Sequence, residues 1–282
     1  MMERYINPFT DFGFKKLFGE EANSDLLIDF LNALLPDTAP IIELTFLKNE
    51  QLGATPADRK AVFDLYCQNE RGEKFIVELQ KANQRYFKDR SLYYATFAIQ
   101  EQAKVGEWDF RLQQVYCVSI MDFVFDEDAA QTDKYRYDVQ LVETETHEVF
   151  YDKLRFVYLE MPRFNKTEAE LVTRYDKWLY VLKNLARLQN TPARIQERIF
   201  GKVFAIAELA NYNFDERHAY HDSLKYYRDM KNVIDTASEE SHAKGRLEAH
   251  FEIARKMKAQ GFEASTIATL TGLAEDEINA LD

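Results

Sequence analysis

Apolar positions fall first into a helical period. Phe14, Leu17 and Phe18 follow Thr10 and Asp11, which predicts a short capped helix ending at Gly19. Residues 23–35 carry Leu26, Leu27, Phe30, Leu31, Leu34 and Leu35 at helical spacing and stop at Pro36, giving a second amphipathic helix. The pattern then changes. Residues 41–47 predict a strand, 53–59 a loop, and 63–80 (FDLYCQNERGEKFIVELQ) a β-hairpin. Residues 82–105 contain neither proline nor glycine and predict a long helix, whereas 113–125 (QQVYCVSIMDFVF) read as a strand covered on both faces. A second hairpin is expected over 135–150, with its turn near 143–146, and a further strand over 154–161. Helices follow at 167–189, 192–209 and 218–247. The result is an α/β core over residues 1–190, followed by a helical region over 191–282. Trp178, Leu179, Val181 and Leu182 form an apolar face that can pack back on the sheet.

The first hairpin carries the chemistry. Alternation puts Phe63, Leu65 and Cys67 on one face and Asp64, Tyr66 and Gln68 on the other; on the second strand it separates Phe75, Val77 and Leu79 from Ile76, Glu78 and Gln80. Glu70-Arg71-Gly72 fits a three-residue loop with glycine in the left-handed position. Paired residue numbers then sum to 142, and Asp64 stands across from Glu78 on one face. Like charges so placed destabilise a sheet. The pair therefore calls for something positive between them.

Charge narrows the partners. The 282 residues are 46% hydrophobic and 14% aromatic, as in a globular protein, with a net charge of −12 that excludes a broad basic surface for non-specific polyanion binding. Cys67 and Cys117 lie in apolar, strand-like runs and read as buried free thiols of a reducing compartment. The opening MMERYINPFTDFG lacks the apolar core of a signal peptide, and no run approaches the roughly 20 apolar residues of a membrane span. A cytoplasmic protein without a membrane partner is expected.

Several segments in order carry a family resemblance: NPFTDFGFKKLFG, RKAVFDLYCQNERGEKFIVELQ, YFKDRSLYYAT, YLEMPRF and DKWLYVL, spread over about residues 5–185. The chain resembles the PD-(D/E)XK nuclease family transposases, the Rpn family of recombination-promoting nucleases. This resemblance implies a restriction-endonuclease-like core, a central mixed β-sheet flanked by helices, and hydrolysis of DNA phosphodiester bonds linked to recombination, mobile elements or defence against foreign DNA. Its motif of an Asp on one strand and Glu-x-Lys or Glu-x-Gln on the next maps onto Asp64, Glu78 and Gln80, the same pair reached from strand parity and turn length. Two converging carboxylates suit a hard cation, Mg²⁺ or Mn²⁺, with waters completing its shell. Gln80 stands where the parent motif most often has lysine; it cannot carry charge, but it can position water.

Around this core the residues have two readings each. Asp11 is a third metal ligand, as in nucleases of this type, or an N-cap for the helix that follows. Lys15 and Lys16 are a solvated face or phosphate contacts. On the proposed helix after Gln80, Arg90 and Tyr94 are surface neighbours with Gln84 six residues upstream, and Arg90 and Tyr94 are candidates for substrate binding, the guanidinium for a phosphate. Lys81, Arg85 and Lys88 add a local basic edge, with Lys81 a further substrate-binding candidate. A catalytically inactive nuclease fold that binds DNA or protein is the competing reading.

Other motifs carry less. His218 and His221 lack a third ligand, neither cysteine has zinc-ligand spacing, and no glycine-rich phosphate loop is present. The C-terminal STIATLTGLAEDEINAL has helix-turn-helix-like spacing, yet its second helix would begin Ala274-Glu275-Asp276-Glu277 and repel phosphate. The expectation is a helical packing or self-association module, with a homodimer through the C-terminal helices; the preceding basic residues Arg255, Lys256 and Lys258 keep DNA binding as the alternative.

Overall fold

The computed structural model describes residues 3–51, 61–103, 106, 109–125 and 134–281. They group into two compact units, Met1–Tyr227 and Arg228–Asp282. Residue 190, the expected boundary, lies inside the first unit, because the helix after it packs into that unit's core.

Six strands form the main sheet: β1 (Leu44–Phe46), β4 (Leu65–Asn69), β5 (Lys74–Gln80), β6 (Val115–Met121), β7 (Arg136–Val142) and β8 (Val149–Glu160), in the order β1-β4-β5-β6-β8-β7. A separate two-stranded ribbon pairs β2 (Glu50–Gln51) with β3 (Ala61–Val62). The β5–β6 and β6–β8 pairs are parallel and the other pairs of the main sheet antiparallel, so the sheet is mixed, as expected. The expected loop over 53–59 and residues 104–105 of the expected helix lie outside the described residues.

The hairpin register is the one read from the turn. Leu65 pairs with Val77, Tyr66 with Ile76, Cys67 with Phe75 and Gln68 with Lys74. Gly72 sits at φ +80°, where only glycine is unstrained, and closes the loop through its N–H to the Asn69 carbonyl at 3.0 Å. Phe63 departs from the alternation. The backbone leaves regular extension at Phe63–Asp64, and Phe63 turns to the opposite face from Leu65 and packs on the rings of Tyr66 and Tyr94 at 5.2 and 5.3 Å.

Each face of the sheet has its own core. Phe75, Val77, Leu79, Val118, Ile120 and Leu159 pack in one cluster with α1 (Asp11–Phe18), α2 (Ser24–Leu34), α4 (Arg174–Asn184) and α5 (Arg198–Ala207). Trp178 is at its centre, its ring against Phe18, Phe30 and Phe200 and its indole N–H donating to Asp29 at 2.7 Å. Ile76, Cys117, Met121 and Tyr158 face the other way, toward α3 (Phe87–Gln100). Both cysteines are buried and free.

Several expected boundaries move. The helix after Gln80 starts at Phe87, later than expected, because residues 81–86 form a connection ending at Tyr86 in a left-handed conformation, φ +67°. The second arm of the second hairpin and the strand after it are one twelve-residue strand, β8, whose exposed first half pairs with β7 alone and whose buried second half is sandwiched between β6 and β7. Residues 167–173 are a 3₁₀ turn and loop rather than helix, and the last long helix, α6 (Phe214–Ala259), is longer at both ends than expected.

In the second unit, α7 (Ala264–Thr271) turns at Gly272, φ +73°, into α8 (Glu275–Asn279), and Ile267, Leu273 and Ile278 pack on Ala254 of α6. Lys258 is committed to this fold: its ammonium donates to the carbonyls of Ile278, Asn279 and Leu281 at the end of α8. Lys256 pairs with Glu252 at 2.7 Å. No helix among the described residues is long and apolar enough to cross a membrane.

Candidate active site

Asp64 comes immediately before β4, where the irregular backbone releases its N–H and side chain from the ladder. Its N–H donates to Glu78 Oε1 at 3.1 Å, and its own Oδ2 accepts from the Leu79 N–H at 2.7 Å. Side chains replace two ladder bonds, so each carboxylate is fixed by the other strand. Asn49 holds the Asp64 carbonyl from the opposite side, donating through Nδ2 at 2.9 Å. Nothing in the sequence periodicity singles out Asn49, because its partner lies in another element.

The electrostatics of the pair are unfavourable without a cation. Both carboxylates keep some contact with solvent but are ringed by protein atoms. Burial raises the pKa of Asp64, and the charge of Asp11 adds to the rise. Burial, and then the Asp64 charge, push Glu78 up to about 8, against the pull of the Asp64 N–H, the Arg90 charge and the Gln80 amide. Two hard oxygen donors that repel one another in a partly dehydrated cleft fit a divalent cation with waters in its remaining positions. Among the described residues no third His, Cys, Asp or Glu is gathered with the pair into a metal-holding group, Asp11 included.

Asp11 is in the first turn of α1, and with Phe12, Lys15, Lys16 and Asn49 it lines the cleft onto which Asp64 opens. Its carboxylate is paired with Lys15 at 2.8 Å. The capping role belongs to Thr10, whose hydroxyl accepts from the Gly13 N–H at 2.9 Å. Gly13 is required there, since a Cβ would stand 2.2 Å from the Asn7 carbonyl oxygen. Lys16 is tied to Glu20 and Glu216 at 3.0 and 2.8 Å. Lys81 follows Gln80 with its ammonium 5.8 Å from the Tyr226 ring centre; burial lowers its pKa, while Asp11 and Asp64 oppose that fall.

On the α3 side, Gln80 Nε2 donates to Glu78 Oε2 at 3.0 Å, and Gln80 Oε1 accepts from Arg90 Nη2. Arg90 also donates to Gln84, which lies in the connection before the helix and not on it. Tyr94 is one turn beyond Arg90, with the guanidinium 5.8 Å from its ring centre; burial, and then the nearby Glu78 charge, raise its pKa. The other segments that carry the resemblance are architectural. Glu160, fully buried, accepts from the Phe125 N–H at 2.7 Å and pairs with Arg163, and Asp176 caps α4 while binding Lys166 at 2.7 Å.

Residues 8–237 match the model of the PD-(D/E)XK nuclease family transposases. The chain belongs to this family. Residues 247–282 of this family member match a second model, the C-terminal helix-turn-helix domain of the Rpn/YhgA-like nuclease family, which gives the α7–α8 turn its counterpart among known domains. No curated protein and no solved structure matches the chain.

The raised proton affinity of Glu78 fixes a pH dependence. A proton must leave before the carboxylate can hold a metal, so any affinity of the pair for a divalent cation rises with pH. Mn²⁺ should therefore bind more weakly at pH 7 than at pH 9. Calorimetric titration in two buffers of different ionisation heat checks this, with close to one proton released per metal at pH 7.

Proposed function

We propose that the protein is a metal-dependent DNA endonuclease, cytoplasmic, in which Asp64 and Glu78 hold Mg²⁺ or Mn²⁺. The observation that carries this reading is the convergence of the two carboxylates, each held by the other strand's backbone, in a member of a nuclease family. The cation, when bound, would supply Lewis acidity toward a phosphoryl oxygen and would make a water acidic enough to give up a proton and serve as the nucleophile toward phosphorus. The chain's own part is to converge the two carboxylates, to place the Gln80 amide beside them and to set cationic side chains, Arg90 and Lys81, at the rim where a DNA backbone is held. Tyr94 packs beside Arg90 and limits its motion. Asp11 completes the metal shell if it exchanges its bond with Lys15 for the ion.

DNA is the substrate and partner in this reading, in keeping with the family and with the C-terminal helix-turn-helix match. One such site cuts one strand; two copies joined through their C-terminal helices would cut both. Supercoiled plasmid incubated with purified protein tests the reading: nicking is expected with Mg²⁺ or Mn²⁺ and none with EDTA. Folded protein that leaves both single- and double-stranded DNA intact in every metal would favour a binding scaffold.

A further inference from the structure

We propose that Arg90 and Gln80 work as one unit, in which the strand's amide anchors a permanent positive charge that α3 delivers to the carboxylate pair. This rests on the nuclease reading of the site. The face of β5 that carries Glu78 and Gln80 has no cation of its own at the carboxylates. Lys81 lies just past the end of β5; its charge acts on Asp11 and Asp64, and its ammonium lies over Tyr226. The positive charge that acts on Glu78, against burial and the negative charge of Asp64, is that of Arg90.

The geometry explains why position 80 is an amide. Gln80 is 8% exposed and used on both sides, donating to Glu78 and accepting from Arg90. A lysine has donors only and could not accept from a guanidinium; a carboxylate could not donate to Glu78. Arg90 is held by two neutral amide oxygens, those of Gln80 and Gln84, and lies 5.4 Å from the Phe87 ring centre and 5.8 Å from that of Tyr94. Among the described residues no ion pair with a carboxylate consumes its charge. Guanidinium stays protonated at any working pH, so Arg90 is neither acid nor base. It is a positioning residue: it orients Gln80 with its donor toward Glu78 and offsets the repulsion within the carboxylate pair. Where the Lys-bearing pattern puts its cation on the strand, this chain carries it on the helix.

The test exchanges the two side chains. Gln80→Lys sets two cations side by side, Arg90→Gln leaves none, and the double variant restores one cation and one amide with their positions swapped. Plasmid nicking should fall at least about tenfold in each single variant and recover in the double variant to above either single one. Thermal melts of the same four proteins in EDTA read the coupling without activity: Gln80→Lys should lower Tm by several degrees when Arg90 is present and by much less in the Arg90→Gln background. An equal loss of Tm in both backgrounds, or Gln80→Lys nicking as well as the wild type, would overturn the proposal. A wild type that nicks nothing would count against the nuclease reading, and the melts would still decide whether the unit exists.

Discussion

Glu78→Gln is expected to abolish DNA cleavage and, in EDTA at pH 9, to make the protein more stable than the wild type. The first effect is the loss of one of two protein donors to the cation, on the order of a thousandfold or more in rate. The second follows from the raised proton affinity. In the folded, metal-free protein Glu78 holds its proton up to about pH 8, well above the ordinary value of 4.5. Its contribution to stability is therefore complete below pH 4.5, declines as pH rises and is lost beyond about pH 8. Glutamine is neutral throughout and removes the decline, which is worth on the order of a few kcal/mol at pH 9. Urea titrations in EDTA at pH 5 and pH 9 check it: the two proteins should be close at pH 5 and separate at pH 9. Added Mg²⁺ should stabilise the wild type and not the variant, since only a state that binds the ion gains from it. Higher stability with lost activity would mark Glu78 as a residue kept for function at a structural cost.

Trp178→Ala is expected to cost about 3–5 kcal/mol of stability, the range for deleting a fully buried tryptophan. The ring joins α1, α2, α4 and α5 by packing on Phe18, Phe30 and Phe200, and these helices cover the sheet face behind the active hairpin. Trp178→Phe separates the terms. It keeps much of the packing and loses the indole bond to Asp29, which retains its ion pair with Arg174 at 2.6 Å, so a loss of about 1 kcal/mol is expected. Urea unfolding followed by far-UV circular dichroism measures both.

The features that were legible in the sequence are the ones set by neighbours in the chain. The hairpin register follows from a three-residue loop and one glycine, and it points to Asp64 and Glu78 without any tertiary contact. The central strand β6 is legible because burial on both faces leaves it apolar but for Ser119. Phe63 escapes the alternation rule because that rule assumes an extended backbone, and the chain breaks extension at Phe63–Asp64, where Asp64 is freed from the ladder. The start of α3 is not legible because no glycine or proline marks the turn at Tyr86, which takes a left-handed backbone. The polar Asp152 and Lys153 interrupt the apolar pattern and predict two strands, although β8 simply passes from an exposed pairing with β7 to the interior. The bond from Arg90 to Gln80 was out of reach, since it depends on where α3 lands over β5. At the C-terminus the acidic start of α8 argued against a DNA-reading helix. The helix-turn-helix itself is supported by the family match, and Glu277 is used locally, accepting from the Ala274 N–H at 2.9 Å.

The account turns on whether Asp64 and Glu78 together hold a divalent cation, and the most direct measurement is a calorimetric titration of Mn²⁺ into the metal-free protein at pH 9, repeated with Asp64→Asn and with Glu78→Gln. One saturable site in the wild type that is lost or weakened at least about tenfold in each variant is the predicted result. An unchanged isotherm in either variant would show that the cation binds elsewhere and would contradict the account.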